Sequence, residues 1–304
     1  MLTSEFALPC GAILKNRLVK AAMTERIADR HNEPVIGHER LYQEWAKTGA
    51  GLLITGNVMI DRKHLESAGN VCFDNENVLP KLKKWANAAV KDGNHVWVQI
   101  SHAGRQANKF STARPKAPSE VQLKKLGLFG KPKAMTEDEI TQIKNAFVKA
   151  AGLAKSAGFT GVQIHSAHGY LLSQFLSPKT NLRTDSWGGS IENRSRLLRS
   201  IIKETRELVG NDFPISVKLN SSDFQKGGLT EEESLEVVKM LDKEGVDLFE
   251  ISGGTYAEGG FYARQIIRFS KGKKFSSKMN PLLSSMFLVL YELKKSILRK
   301  SILN

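Results

Sequence analysis

The stretch from Gly161 to Leu172 reads Gly-Val-Gln-Ile-His-Ser-Ala-His-Gly-Tyr-Leu-Leu, an alternating apolar run that stops and releases two histidines and a tyrosine within six residues. Imidazole both donates and accepts hydrogen bonds, and a phenol, with an ordinary pKa of ~10, still carries its proton at neutral pH. His165, His168 and Tyr170 together have the chemistry to hold a carbonyl oxygen and deliver a proton beside it. The same types also suit plainer work, one imidazole satisfying a backbone carbonyl and the tyrosine packing half-buried. A metal held by His165 and His168 is a weaker alternative, because no acidic or cysteine cluster offers a third ligand at a recognisable spacing.

A strand that points Val162 and Ile164 to one side leaves Gln163 and His165 on the other, so His165 falls at a strand end and His168 and Tyr170 in the loop after it. The same beat recurs along the chain. Strand-like runs lie near 13–22, 51–58, 95–100, 158–165, 214–219 and 246–251, and helical patterns lie between them around 38–47, 78–91, 136–156, 191–209 and 230–243. Strands alternating with helices imply a parallel sheet. Thr136 before Glu139 and Thr230 before Glu233 stand at capping-box spacing, and Gly188-Gly189-Ser190 makes a turn into the fourth helix. The segment 103–134 has no sustained period and is expected as a long loop over the catalytic face.

Polar or small residues end every strand-like run: Ala22, Met23 and Thr24, then Asn57, Gln99, His165, Lys218, and Ser252-Gly253-Gly254. That is the pattern of a (β/α) barrel whose active face is its C-terminal rim. A doubly wound open sheet is the runner-up, but it calls for a glycine fingerprint after the first strand, and Lys15-Asn16-Arg17-Leu18-Val19 has none.

The chain is 304 residues long with 41% hydrophobic content, enough for a sizeable core. Two cysteines, Cys10 and Cys72, make no disulfide framework, and no apolar run has membrane-spanning length. A cytoplasmic protein is expected. The net charge of +14 is uneven: Phe261 to Asn304 carries ten Lys or Arg against Glu292 alone. No nucleic-acid signature or interleaved aromatic platform accompanies that basicity, so neither nucleic acid nor membrane is expected as a partner.

Eight motifs, in order, resemble the Old Yellow Enzyme family: Leu14 to Thr24, Gly51 to Asn57, Gln99 to Arg105, His165 to Tyr170, Phe175 to Pro178, Asn181 to Asp185, Gly188 to Arg194 and Glu250 to Gly254. The resemblance implies an α/β fold of TIM (β/α)8 type, FMN as cofactor, NADH or NADPH as reductant and an electrophilic alkene as substrate. Ala22, Met23 and Thr24 match a segment lying along the flavin, Asn57 and Gln99 match positions at its pyrimidine edge, and Lys218 matches a basic position beside N1 and C2=O. A strand-ending role is the plainer reading of Thr24. His165, which the family also places against the cofactor, and His168 resemble the pair that binds the electron-withdrawing group, and Tyr170 resembles the proton donor. Arg183, Asp185 and the segment 188–194 read as structural.

The family's last two strand-helix units and their phosphate-binding loops are not legible after about residue 258. Residues 1–258 therefore read as an incomplete FMN-binding barrel, and 259–304 as a basic, disordered or loosely helical tail, either out of frame or a native interaction segment. An open barrel of about six units implies exposed edges, self-association and weakened FMN binding. A flavin-deficient barrel without activity is the alternative function, and a basic nucleic-acid or membrane-surface binder rests on the tail alone.

Overall fold

The computed structural model describes residues 2–257 and the short strand Leu288–Val289. The boundary expected near 258 and the rest of the tail lie outside the described residues. Six strands form one parallel sheet in sequence order: β1 (Leu18–Lys20), β2 (Leu52–Ile54), β3 (His95–Ser101), β4 (Gly161–Ser166), β5 (Ile215–Asn220) and β6 (Leu248–Ser252). The first five are each followed on the chain by helical cover: α1 (Ile36–Ala46), α2 (Leu79–Ala89), α3 (Glu137–Ala157), α4 (Leu171–Leu176) with α5 (Ile191–Val209), and α6 (Glu231–Lys243) after β5. This is a TIM-type barrel with six of its strand units among the described residues. Leu288–Val289 pair antiparallel with Val19 and Leu18, so the β1 edge expected to stand exposed is paired there. No described helix is long and apolar enough to cross a membrane.

Period-two alternation sorts the strand residues into two cores. Val96, Val98, Ile100, Val162, Ile164, Val217 and Leu219 face outward against Leu82, Phe147, Leu198, Ile201 and Leu241 of the helices. Val19, Leu52, Ile54, Trp97 and Leu248 face inward with Leu8 and Leu14 and fill the barrel floor. Above that floor the inward positions turn polar, at Gln99, Gln163, Ser216, Lys218 and Glu250, all buried. Thr136 and Thr230 cap α3 and α6 in full capping boxes, and Ser190 accepts the Asn193 N–H at the start of α5.

The first expected strand is shorter than its apolar run. Ile13–Leu14 instead pair with Phe6–Ala7 in a hairpin. Asn16 breaks the run because its side-chain oxygen accepts the N–H groups of Leu18, at 3.0 Å, and Gly51, at 2.8 Å. The loop after β3 lies over the rim and carries more structure than its sequence suggests, with a 3-10 turn at Gly104–Gln106 and a ladder pairing Lys116–Ala117 with Lys133–Ala134. Its far end reaches the segment after β6, where Lys125 Nζ donates to the Tyr256 carbonyl at 2.7 Å and Phe129 meets the Tyr256 ring edge-on at 5.9 Å.

Arg194 is the main tie beneath the loop after β4. Buried, it donates to the carbonyls of Leu176 and Gly189 and pairs with Glu233, the residue that also closes the α6 capping box. Arg183 plays a similar part, holding Asp185 and the Met135 carbonyl. Arg194→Ala removes one partner of a largely buried pair and strands two carbonyls, so it is expected to cost about 3 kcal/mol, read as a lower urea midpoint. An unchanged midpoint would contradict that role.

Candidate active site

The end of β4 turns sharply because two consecutive residues adopt left-handed backbone, His168 at φ 64° and Gly169 at φ 78°. A β-carbon at Gly169 would lie 3.0 Å from Gln106 Oε1 in a strained conformation, so glycine is required there. His168 occupies this backbone because both sides hold it: its N–H donates to Asn220 Oδ1 at 3.2 Å, and it bridges to Thr255. The turn brings Tyr170, the N-cap of α4, back over the strand end. The His165 ring then lies 5.2 Å from His168 and 4.9 Å from Tyr170, edge-on to both. The structure thus brings together the three residues singled out from the sequence.

The local hydrogen bonds assign proton positions. His165 Nδ1 accepts the Ala167 N–H at 3.2 Å, which leaves Nε2 as the protonated, donating nitrogen of a neutral ring. His168 Nε2 lies 2.6 Å from Ser252 Oγ. Burial, reinforced by the charge of Lys218, holds both imidazoles well below their ordinary pKa, with His165 adding to the effect on His168. Both rings are neutral hydrogen-bonding groups at neutral pH.

Beneath them, Lys218 is paired with Glu250, Nζ to Oε1, at 2.7 Å. The sequence alone left this buried cation without a partner, and the structure supplies one. Glu250 Oε2 accepts from Gln163 Nε2 at 2.9 Å, and Gln163 Oε1 accepts from Gln99 Nε2 at 2.7 Å. One chain of polar contacts therefore crosses β3, β4, β5 and β6. Alternation already put Glu250 on the same face as Ser252, so an acid at an inward strand position was the signal for it.

Ala22, Met23 and Thr24 follow β1 as an extended, half-buried segment. They pass so close to the end of β2 that a β-carbon on Gly56 would lie 2.3 Å from the Met23 carbonyl and 2.7 Å from Thr24 Cα. Glu25 fixes this approach by accepting the Tyr42 hydroxyl at 2.5 Å and the Gly56 N–H at 3.0 Å. Nothing in the sequence pattern around Glu25 marks that role. Asn57 follows directly and is buried, with its Oδ1 meeting no hydrogen-bond donor. A buried acceptor in that condition fits a position completed by a ligand donor.

Among the described residues, one group has metal-like proximity, Asp61, His64 and His102, away from the pair first considered. His64 Nε2 accepts the Lys116 N–H and His102 Nδ1 accepts the Gly104 N–H. Metal-bound imidazoles donate from their far nitrogen. This group is instead a tie between β3 and its long loop, with Asp61 Oδ2 2.8 Å from His64 Nδ1.

A model of the NADH:flavin oxidoreductase / NADH oxidase family matches residues 11–280. The chain is 36% identical over 272 residues to an NADH-dependent flavin oxidoreductase, iliE, of Hypocrea jecorina (strain QM6a), covering 83% of this chain and 67% of that protein. It is 38% identical over 250 residues to an NADH oxidase of Thermoanaerobacter brockii, covering 80% of this chain and 38% of that protein. It spans 35% and 58% of two further flavin oxidoreductases, from Neonectria sp. (strain DH2) and Aspergillus parasiticus, so it matches only part of several relatives. Among solved structures it resembles a 2-naphthoyl-CoA reductase complex, with TM-score 0.80, 33% identity and coverage of 84% of this chain and 41% of that one. An Old Yellow Enzyme homologue from Zymomonas mobilis, at TM-score 0.76 and 24% identity over 99% of this chain and 86% of that one, shares the fold.

The buried neutral histidines generate a pH dependence. His102 is likewise held well below its ordinary pKa by burial, with His64 adding to the effect. Below about pH 6.5 the unfolded chain binds protons that the folded chain refuses, so the histidines make stability fall as pH drops beneath that value and contribute no slope above it. Urea titrations across pH 5 to 8 are expected to show this fall, and His165→Asn to make it shallower by up to ~1.4 kcal/mol per pH unit. An equally steep fall in the variant would contradict the neutral assignment.

Proposed function

This chain belongs to the NADH:flavin oxidoreductase / NADH oxidase family, and from that premise we propose that it is an FMN-dependent ene reductase, using NADH or NADPH to reduce the C=C bond of an activated alkene such as an enone. The observation that carries this reading is the cluster of two neutral imidazoles and a phenol around His165, set directly above a buried lysine.

The residue types at these positions suit a flavin. Ala22, Met23 and Thr24 would lie along it, Asn57 and Gln99 would meet its pyrimidine edge with amide donors and acceptors, and Lys218 would stand at N1 and C2=O, with His165 against the ring. The unpartnered Asn57 Oδ1 is the feature that asks for such a ligand. FMN bound there would supply hydride-transfer chemistry between a nicotinamide and the alkene's β-carbon.

The chain's own residues do the rest. His165, with its proton on Nε2, donates to the substrate's carbonyl or equivalent oxygen, and His168 shares that oxygen. Neutral donors draw electron density from the alkene without placing a full positive charge in a buried site. Ser252 fixes the His168 ring through its Nε2. Tyr170 gives its proton to the α-carbon. The loop after β3 is tied to Tyr256 at its far end.

Tyr170→Phe separates the steps. Stopped-flow measurement is expected to show flavin reduction by the nicotinamide within about twofold of the parent, while alkene reduction falls about 10²-fold or more. Equal loss in both half-reactions would argue against Tyr170 as the proton donor.

A further inference from the structure

Lys218 and Glu250 stand directly opposite each other on β5 and β6. Their charged atoms are 2.7 Å apart and their side chains are 8% and 4% exposed. Neither carboxylate oxygen is idle, because Oε2 holds Gln163 and Gln163 in turn holds Gln99. Glu250 thus touches both Lys218 and Gln163, whose Nε2 also donates to Ser216 Oγ at 3.1 Å. In the flavin reading Lys218 and Gln99 meet the cofactor, whereas Glu250 and Gln163 have no part in it.

Hydride transfer from a dihydronicotinamide to flavin N5 moves one electron pair with its hydrogen, leaving an oxidised nicotinamide and a flavin with added negative charge on its N1 side. Fixed charges beside that edge decide how well the reduced form is held relative to the oxidised form. A lone lysine would favour the reduced form strongly. A lysine whose charge is opposed by a carboxylate in contact favours it less, since the carboxylate offsets part of its field beyond the pair.

We propose, resting on the flavin reading above, that Glu250 is a positioning residue that sets the reduction potential of the bound flavin by matching the charge of Lys218. The site then presents a balanced ion pair at N1, and the reduced flavin is held loosely enough to be a strong hydride donor to the alkene. Glu250 acts through Lys218 and Gln163, which it contacts, and Gln163 carries its influence to Gln99.

The test compares the affinities of the parent protein, Glu250→Gln and the double variant Lys218→Gln with Glu250→Gln for oxidised FMN and, anaerobically, for reduced FMN. A tenfold change in the ratio of the two affinities corresponds to about 30 mV for a two-electron couple. E250Q unmasks the cation and is expected to raise the preference for reduced FMN about tenfold, a shift of about +30 mV. The double variant removes both charges together and is expected to return within about threefold of the parent, under about 15 mV. A purely structural role would weaken both redox states alike and leave the ratio unmoved, which would overturn the proposal. So would a double variant that prefers oxidised FMN about tenfold more than the parent, since Lys218 would then have acted as a free cation. If E250Q fails to fold, the double variant, whose paired amides carry no buried charge, decides alone. A parent chain that binds FMN in neither state would sink the flavin reading and this proposal with it, an outcome distinct from retained binding with an unmoved ratio.

Discussion

A buried lysine inside a barrel must have its charge answered, and the layout of the site follows from how Glu250 does so. Taking an ammonium and a carboxylate out of water costs several kcal/mol each, repaid when contact is close and the remaining hydrogen-bonding capacity is used. Here contact is at 2.7 Å and Gln163 takes the second carboxylate oxygen. The pair needs parallel strands in the observed register, with Lys218 beside Glu250 on one side and His165 on the other. A slip of one residue on β5 would turn Lys218 into the outer apolar core and Val217 into the barrel. The polar layer is therefore a constraint on register as much as a piece of the site.

Directly above, the same strands hand over from side chains to backbone. Asn220 at the end of β5 accepts the His168 N–H and donates to Asp223 and to the Gly254 carbonyl, joining the loops after β4, β5 and β6. The left-handed conformation of His168 persists because these contacts and the bridge to Thr255 hold it. Ser252 then reaches the imidazole itself. The histidines are neutral for the reason that the lysine is paired: the interior is dry, and Lys218 adds its charge to the cost of protonating them. Floor, ion pair and rim form successive layers of one interior, each setting the electrostatics of the next.

Much of this was legible in the sequence wherever period and punctuation agree. The alternation of Val162, Gln163, Ile164 and His165 placed the strand and its reactive end, and the capping residues Thr136, Ser190 and Thr230 began their helices as expected. The first strand, expected over 13–22, is shorter because the Asn16 side chain, bonding to Gly51 far along the chain, divides Ile13-Leu14 from Leu18-Val19. Glu25 was missed because its partners, Tyr42 and Gly56, are brought to it by the fold. Glu250 was quoted within a motif, but its pairing with Lys218 depends on strand register, which one sequence does not display. The helix Leu171–Leu176 escaped because six buried residues have no amphipathic face to read.

The flavin reading rests on Lys218, Asn57 and the His165 cluster. The most direct test is the visible absorption spectrum of the purified chain after addition of excess FMN and desalting. The account predicts a retained flavin band, shifted from that of free FMN. A colourless protein with the same far-ultraviolet circular dichroism before and after would contradict it, because a folded barrel would then stand without the cofactor proposed for it.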